Sequence, residues 1–289
     1  MVLRNKCDQG EGGVFLKQRT IDHAVKYTGI GLHSGREVNL ELQPAEEGTG
    51  IVYYRVDVEG SPSIRAIAEN VTSTIRATTI EENGVKVFTI EHLMSAFHAH
   101  GIDNCKVLID SEEPPVADGS SLEFFKLIQS AGIKEQEAER QEIVIDKAYR
   151  VEDGDKMVVA LPYDGFRISF TSINPHPLIG TQYFDVVVEG DNYEKEIAQA
   201  RTIAYEKEIE MLRKMGLGLG GTIDNVIVYN DEGWMNPLHY PDELVRHKIL
   251  DIVGDLRLAG ICRGHFIAVK SGHALNSVMA KLLRKELVK

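Results

Sequence analysis

The amino-acid sequence predicts an α+β protein in which two halves of similar make-up meet at a cleft. Short strand-like runs and helical runs are mixed in the first half, and the same mixture recurs after residue 141. The length of 289 residues fits one large domain or two medium ones. Hydrophobic residues make up 43% of the chain, which is enough to build a core.

Strand-like runs dominate the first half. Alternation of apolar and polar residues predicts strands, whereas an apolar residue every third or fourth position predicts a helix. We predict strands at 38–42, 51–55, 64–68, 85–89 and 105–109, and helices at 90–97 and 121–129. The charged stretch 134–141 is the best candidate for a linker.

The second half has the same kind of order. Strands are predicted at 143–145, 157–161, 166–171, 225–229 and 266–270, and helices at 197–214, 242–258 and 274–285. A proline-broken loop at 174–177 and a glycine-rich turn at 215–221 lie between them. No internal repeat is strong enough to prove duplication.

Charge and cysteine content exclude several classes of protein. A net charge of −12 argues against a nucleic-acid or anionic-membrane binder, since these need a basic surface. The cysteines Cys7, Cys105 and Cys262 are far apart and predict free thiols in a reducing compartment. No apolar run approaches the ~20 residues needed to span a bilayer, and the polar start has no signal-peptide core. These observations predict a cytoplasmic protein.

The helix predicted at 242–258 carries a polar stripe. His247, Asp251 and Asp255 follow one another at intervals of four residues, so they lie on one helix face. His247 and Asp251 could bind one metal ion together. On spacing alone, an ion pair between His247 and Asp251 on a solvated face is the favoured interpretation.

Three more histidines lie at junctions between predicted elements. His92 follows Glu91 where a strand meets a helix, and a neutral imidazole beside a free carboxylate suits a zinc hydrolase. His273 lies between a strand and a helix, near Lys270, which could neutralise a phosphate. His33 lies in a glycine-rich loop. None of these histidines alone is sufficient to indicate a functional site, and for His92 a structural role is favoured.

Together these pieces indicate a catalytic zinc site. They could supply two histidines and an aspartate and leave one position open for water, which is typical of catalytic zinc. A structural zinc has four protein ligands, usually with cysteine, and the chain has no cysteine cluster.

Seven sequence strings then resemble a known family. They occur in order as T-G-I-G-L-H-S-G, T-I-E-H-L, V-A-D-G-S, A-R-T-I, G-L-G-L-G-G, D-E-L-V-R-H-K-I-L-D-I-V-G-D-L and K-S-G-H-A-L-N. The family is that of the UDP-3-O-acyl-N-acetylglucosamine deacetylases of lipid A synthesis, and the resemblance covers about residues 17 to 285.

The resemblance implies two βα two-layer sandwich domains whose helix layers pack face to face, each with a small insert. We expect a flexible extension at 1–13, a first domain at 14–138 with His92, and a second domain at 139–289 with His247 and Asp251. A βαβ insert forming a hydrophobic passage for the acyl chain is expected at about 201–229. The chain is expected to be a monomer.

The resemblance also implies a role for each site residue. The zinc ligands would be His92, His247 and Asp251. Catalytic residues would be Glu91 as general base, His273 as general acid or oxyanion stabiliser, Asp255 as the carboxylate that orients His273, and Thr202 as a donor to the oxyanion. Substrate-binding residues would be Lys248, Lys270, His33, Ile203 and Gly218.

The function implied is zinc-dependent removal of the N-acetyl group from UDP-3-O-(3-hydroxyacyl)-N-acetylglucosamine, giving the free amine and acetate. The UDP group would bind in a basic cleft. Some relatives have a phenylalanine in the loop at 171–177 that is thought to stack on uracil, whereas this loop contains Asn174 and no phenylalanine. The alternative function is a catalytically inactive homologue that binds a nucleotide sugar or acyl chain. Intact Glu91, His92 and His273 argue against it.

Overall fold

The computed structural model describes residues 16–288. The extension expected at 1–13 and Cys7 therefore lie outside the described residues. The first half contains β1 (Lys17–Ile21), β2 (Val25–Ile30), β3 (Glu37–Pro44), β4 (Ile51–Arg55), β5 (Ser63–Arg65), a 3-10 turn (Ala68–Asn70), β6 (Val71–Ser73), β7 (Thr79–Glu82), β8 (Val85–Val87), α1 (Glu91–Ala99), β9 (Cys105–Ile109), α2 (Leu122–Ser130) and β10 (Ile133–Glu139).

The second half contains a comparable set of strands and helices. They are β11 (Glu142–Val144), β12 (Tyr149–Asp153), β13 (Lys156–Leu161), β14 (Phe166–Ile173), β15 (Thr181–Val187), α3 (Gly190–Glu196), β16 (Ile203–Tyr205), α4 (Glu206–Lys214), β17 (Ile227–Tyr229), α5 (Glu243–Arg257), β18 (Ile261–Val269) and α6 (His273–Leu287).

Each half has one main sheet. The first is five-stranded in the order β2-β3-β9-β4-β5, and β3 illustrates its pattern, since Val38, Leu40 and Leu42 are buried and alternate with more exposed residues. The second is six-stranded in the order β12-β13-β18-β14-β15, with β11 pairing to β18. Strands β6, β7 and β8 form a separate small sheet in the first half.

Helices α1, α2, α5 and α6 lie between the two main sheets. Helix α2 packs on α1 and on β2, and α6 packs on α5 and on β12 and β13. Helix α1 of the first half packs along α5 of the second, so the two helix layers meet in the middle. This arrangement confirms the predicted α+β class. Among residues 16–288, no helix is both long and apolar enough to cross a membrane.

Two predictions of local structure were wrong. The stretch 134–141 is not a linker, because β10 pairs antiparallel with β1 across Ile133 and Ile21. Its charged residues are largely exposed on this two-stranded ribbon, so no apolar alternation revealed the strand. The stretch 197–214 is not one helix: its first part contains β16, which pairs in parallel with β17, and α4 begins only at Glu206.

The unit β16–α4–β17 lies within the range where an insert was expected. Its two strands pair in parallel with Ala204 opposite Val228, and α4 connects them. The limits of the two domains stay a prediction.

Close packing between α1 and α5 depends on one glycine. A Cβ at Gly254 would lie 2.0 Å from the Glu91 carbonyl oxygen, which is far inside van der Waals contact. The two helix backbones therefore meet at the turn of α1 that carries Glu91 and His92.

Replacement of Gly254 by alanine should destabilise the protein. Alanine normally stabilises a helix relative to glycine. Here its methyl group would force α1 and α5 apart, which should lower the free energy of unfolding by about 1–3 kcal/mol. Urea unfolding would measure this. Gly190→Ala is the matched control, since Gly190 is also helical and a Cβ there meets nothing within 4 Å. Equal stability of the two variants would contradict the packing argument.

Candidate active site

Helix α1 begins with two polar side chains that are buried in the protein interior. Its first eight residues are all buried, and Glu91 and His92 are 3% and 5% exposed. Both lie in the first turn, where a carboxylate interacts favourably with the positive end of the helix dipole. Buried groups of this kind need partners, and the partners come from α5.

Helix α5 presents its polar stripe to α1. His247, Asp251 and Asp255 are all buried, so the solvated ion pair favoured from spacing is wrong. The Nε2 atom of His247 lies 3.4 Å from Asp251 Oδ1. The other ring nitrogen of His247, Nδ1, is 3.0 Å from the carbonyl oxygen of Ala200, which leaves Nε2 directed to Asp251.

His92, His247 and Asp251 form a three-residue group suited to a metal ion. Each offers a ligand atom, and these atoms all lie within 4.8 Å of one another. The Asp251 Oδ1 atom is buried without a hydrogen-bond partner among the described residues. A buried carboxylate oxygen without a donor is costly, and a cation would satisfy it.

The protonation of these three side chains also fits a metal site. Burial, with His247 nearby, lowers the pKa of His92 to about 3, and burial also lowers the pKa of His247. Burial opposes ionisation of Asp251, but His247 and Lys248 outweigh it and hold the pKa of Asp251 well below its usual range. Two neutral imidazoles and one carboxylate are the protonation states that zinc requires.

Glu91, His273 and Asp255 form a second short network of charged side chains. The Nε2 atom of His273 is 4.0 Å from Glu91 Oε1, and its Nδ1 atom is 3.0 Å from Asp255 Oδ2. Burial raises the pKa of Glu91 to about 7. Burial alone would lower the pKa of His273, but Asp255, Asp251 and Glu91 raise it to about 10. A carboxylate that titrates near neutrality thus faces a charged imidazole.

Two buried residues that the sequence analysis missed support this network. Thr78 donates its hydroxyl to Asp255 Oδ1 at 2.5 Å and its backbone N–H to Glu91 Oε2 at 3.1 Å. Asn276 donates its side-chain amide to Asp255 Oδ2 at 2.8 Å. The string A-T-T around Thr78 has no feature that marks it in the sequence, because its partners lie on α1 and α5.

The polar residues face a cavity of about 450 Å³. Among the residues predicted from sequence, its lining includes Glu91, His92, His247, Asp251, His273, Thr202, Ile203, Gly218, Lys248 and His33. Asp255 lies behind His273, fully buried. Lys270 is not part of the lining and pairs with Asp155 instead. Arg76 and Arg213 line the cavity and were not predicted.

The unit β16–α4–β17 supplies the apolar wall of the cavity. This wall comprises Ile203, Ala204, Ile209, Leu212, Leu217, Ile223, Val226 and Val228. On the opposite side, the His33 ring accepts a hydrogen bond from the Gly218 N–H at 3.2 Å, which joins the first-half loop to the unit. The cavity therefore has a polar end at α1 and α5 and an apolar end under α4.

Comparison with known families matches most of the chain to one family. The family profile described as UDP-3-O-acyl N-acetylglycosamine deacetylase matches residues 18–285. The chain belongs to this family.

Curated relatives from several bacteria agree with the family match. The UDP-3-O-acyl-N-acetylglucosamine deacetylase of Marinobacter nauticus is 45% identical over 276 residues, which cover 94% of this chain and 91% of the relative. That of Myxococcus xanthus is 47% identical over 93% of this chain and 85% of the relative. That of Hahella chejuensis is 45% identical over 94% and 91%. The resemblance seen in the sequence is confirmed.

Removal of the Asp251 carboxylate should abolish metal binding. We expect Asp251→Ala to lose most of its bound metal, because loss of one of three ligand atoms leaves the group with only two. Plasma mass spectrometry of dialysed protein would measure the metal content. Asp242→Ala is the control, since Asp242 precedes the same helix but pairs with Arg246. An unchanged metal content in Asp251→Ala would exclude Asp251 as a ligand.

Proposed function

We propose that this chain removes the N-acetyl group from UDP-3-O-(3-hydroxyacyl)-N-acetylglucosamine in lipid A synthesis and uses Zn²⁺ to do so. The observation that carries the proposal is the cavity itself: in a member of a deacetylase family, one cavity joins a His-His-Asp group, an acid–base pair and an apolar wall. Each part matches one part of such a substrate.

His92, His247 and Asp251 would hold the zinc ion. When bound there, zinc lowers the pKa of a coordinated water from ~15.7 to ~7 and polarises a carbonyl group. The metal identity rests on ligand type, since two imidazoles and one carboxylate are typical of zinc but also suit iron.

Glu91 acts as the general base. Its carboxylate lies beside the ligand group without being part of it, and burial raises the pKa of Glu91 to about 7. A base with a pKa near the operating pH accepts a proton from water efficiently and can pass it on.

His273 acts as the electrostatic partner and general acid. With a pKa raised to about 10 by its neighbouring carboxylates against the effect of burial, the imidazole is charged at neutral pH. It stabilises the negative charge that develops on the amide oxygen, and it protonates the amine, which leaves poorly as an anion. Thr202, on the cavity lining, donates a further hydrogen bond to that oxygen.

The remainder of the cavity binds the substrate's two long groups. The acyl chain lies along the apolar wall, including Ile203 and the turn at Gly218, where each buried CH₂ contributes ~0.8 kcal/mol. The UDP group lies toward Lys248, with Lys270 as a cation outside the lining, and His33 is a further binding residue where the first-half loop meets the turn at Gly218. This division explains why a deacetylase has an apolar passage.

A catalytically inactive binding homologue, the alternative, gains no support. Such a protein has no need of a buried base and acid beside a ligand group, and burial of these charged groups is costly. The cytoplasmic location and the monomeric state remain predictions.

A direct assay tests the proposed function. Purified protein loaded with zinc should release acetate and a free amine from UDP-3-O-(3-hydroxymyristoyl)-N-acetylglucosamine, measured by mass spectrometry. Stoichiometric zinc without acetate release would overturn the enzyme assignment and favour the binding homologue.

Glu91→Gln should keep the metal and lose turnover. The amide has nearly the same shape as the carboxylate but cannot accept the proton, so kcat should fall about 10²- to 10⁴-fold. Steady-state kinetics and metal analysis on the same sample would check both halves of the prediction. Retained activity would exclude Glu91 as the base.

The alkaline side of the pH–rate profile should depend on His273. Because the acid must be protonated, wild-type kcat/KM should fall as the pH rises through about 10, the pKa given by the surrounding carboxylates. His273→Gln should be much slower, retain zinc and lack this alkaline limb. An unchanged limb in the variant would assign it to another group.

A further inference from the structure

Thr78 is fully buried between the two halves of the protein. It lies just before β7 in the first half, and its side chain reaches α5 of the second. Its backbone N–H donates to Glu91 Oε2 at 3.1 Å, and its hydroxyl lies 2.5 Å from Asp255 Oδ1. One residue thus contacts the base and the partner of the acid.

The direction of the hydroxyl bond is determined by its acceptor. An ionised carboxylate only accepts hydrogen bonds, so the Thr78 hydroxyl must donate to Asp255. The other carboxylate oxygen, Oδ2, accepts from His273 Nδ1 at 3.0 Å and from Asn276 at 2.8 Å. Within residues 16–288, Thr78 is the only hydrogen-bond donor recorded on Oδ1.

This bond fixes the rotation of the Asp255 carboxylate. Asp255 is 0% exposed, so water cannot replace a lost donor easily. The orientation of the carboxylate plane determines where the His273 ring lies, because the ring bonds to one of its oxygens. Asn276 cannot do this alone, since it and His273 share the same oxygen.

The geometry of threonine suits a double contact. A β-branched side chain has few χ1 rotamers, so its hydroxyl keeps a nearly constant position relative to its own backbone N–H. The two carboxylates that these groups contact, those of Glu91 and Asp255, are therefore held at a nearly constant distance from each other.

We propose that Thr78 is a positioning residue that holds Glu91 and His273 in a fixed relative position where the two halves of the protein meet. The inference rests on the proposed function, in which these two groups transfer the protons. Thr78 itself is not part of the cavity lining and acts through Asp255 and Glu91.

Thr78→Val tests the hydroxyl with almost no change of shape. We expect kcat to fall about 10- to 100-fold, the usual loss for a supporting partner of a catalytic group. KM and zinc content should stay within about twofold of wild type, because ground-state binding is not altered. Thr78→Ser restores the hydroxyl and should recover most of kcat.

The double variant distinguishes positioning from general damage. If Thr78 acts through His273, then Thr78→Val should cost little further activity once His273 is already glutamine, since residues that act as a unit are not additive. A merely structural role would lower the activity of wild type and of His273→Gln by the same factor.

Thr20→Val is the matched control. Thr20 is also buried, accepts a hydrogen bond from Ala45 N–H at 3.0 Å and does not line the cavity. It should lower the melting temperature but leave kcat unchanged.

Three outcomes would overturn the proposal while wild type deacetylates its substrate. These are an unchanged kcat in Thr78→Val, failure of Thr78→Ser to recover activity despite a normal melting temperature, and equal losses in the two backgrounds. A wild-type protein without deacetylase activity would instead defeat the proposed function.

Discussion

Helices α1 and α5 approach each other so closely at Gly254 that no Cβ fits between them. Most of the candidate site depends on this contact. Glu91 and His92 come from the first turn of α1, whereas His247, Asp251 and Asp255 come from successive turns of α5. Neither helix alone holds the His-His-Asp group, so the candidate site exists only while the two halves are packed together. Folding and metal binding should therefore be coupled.

Burial of charge explains the chemistry of the site. Three carboxylates, Glu91, Asp251 and Asp255, lie within a small buried region and are balanced by Lys248 and His273. Burial has opposite effects on two neighbours, since it raises the pKa of Glu91 but by itself lowers that of His273. Nearby carboxylates outweigh this effect and raise the pKa of His273. Separate pKa values of this kind distinguish a base from an acid within one site.

The polar and apolar ends of the cavity are built by different parts of the chain. The central helices hold the buried polar groups, whereas the segment from β16 through α4 to β17 forms the apolar wall. Contacts between the His33 loop and the turn at Gly218 join the two. The apolar wall and the buried His-His-Asp group therefore belong to separate elements that this loop contact joins.

The sequence by itself determined the α+β class, the helix that carries His247 and Asp251, and the family. Regular apolar spacing predicted α5 to within one residue at each end, and the motif strings assigned His92, His247 and Asp251 to one site. Strands β10 and β16 were not predicted from the sequence. Strand β10 is charged and largely exposed, and β16 is only three residues long, so neither has a local pattern of apolar residues. Only the tertiary structure brought Thr78 and Asn276 onto Asp255 and removed Lys270 from the cavity lining. Hydrogen bonds between residues some 20 to 180 positions apart depend on packing, and periodicity along the chain carries no information about them.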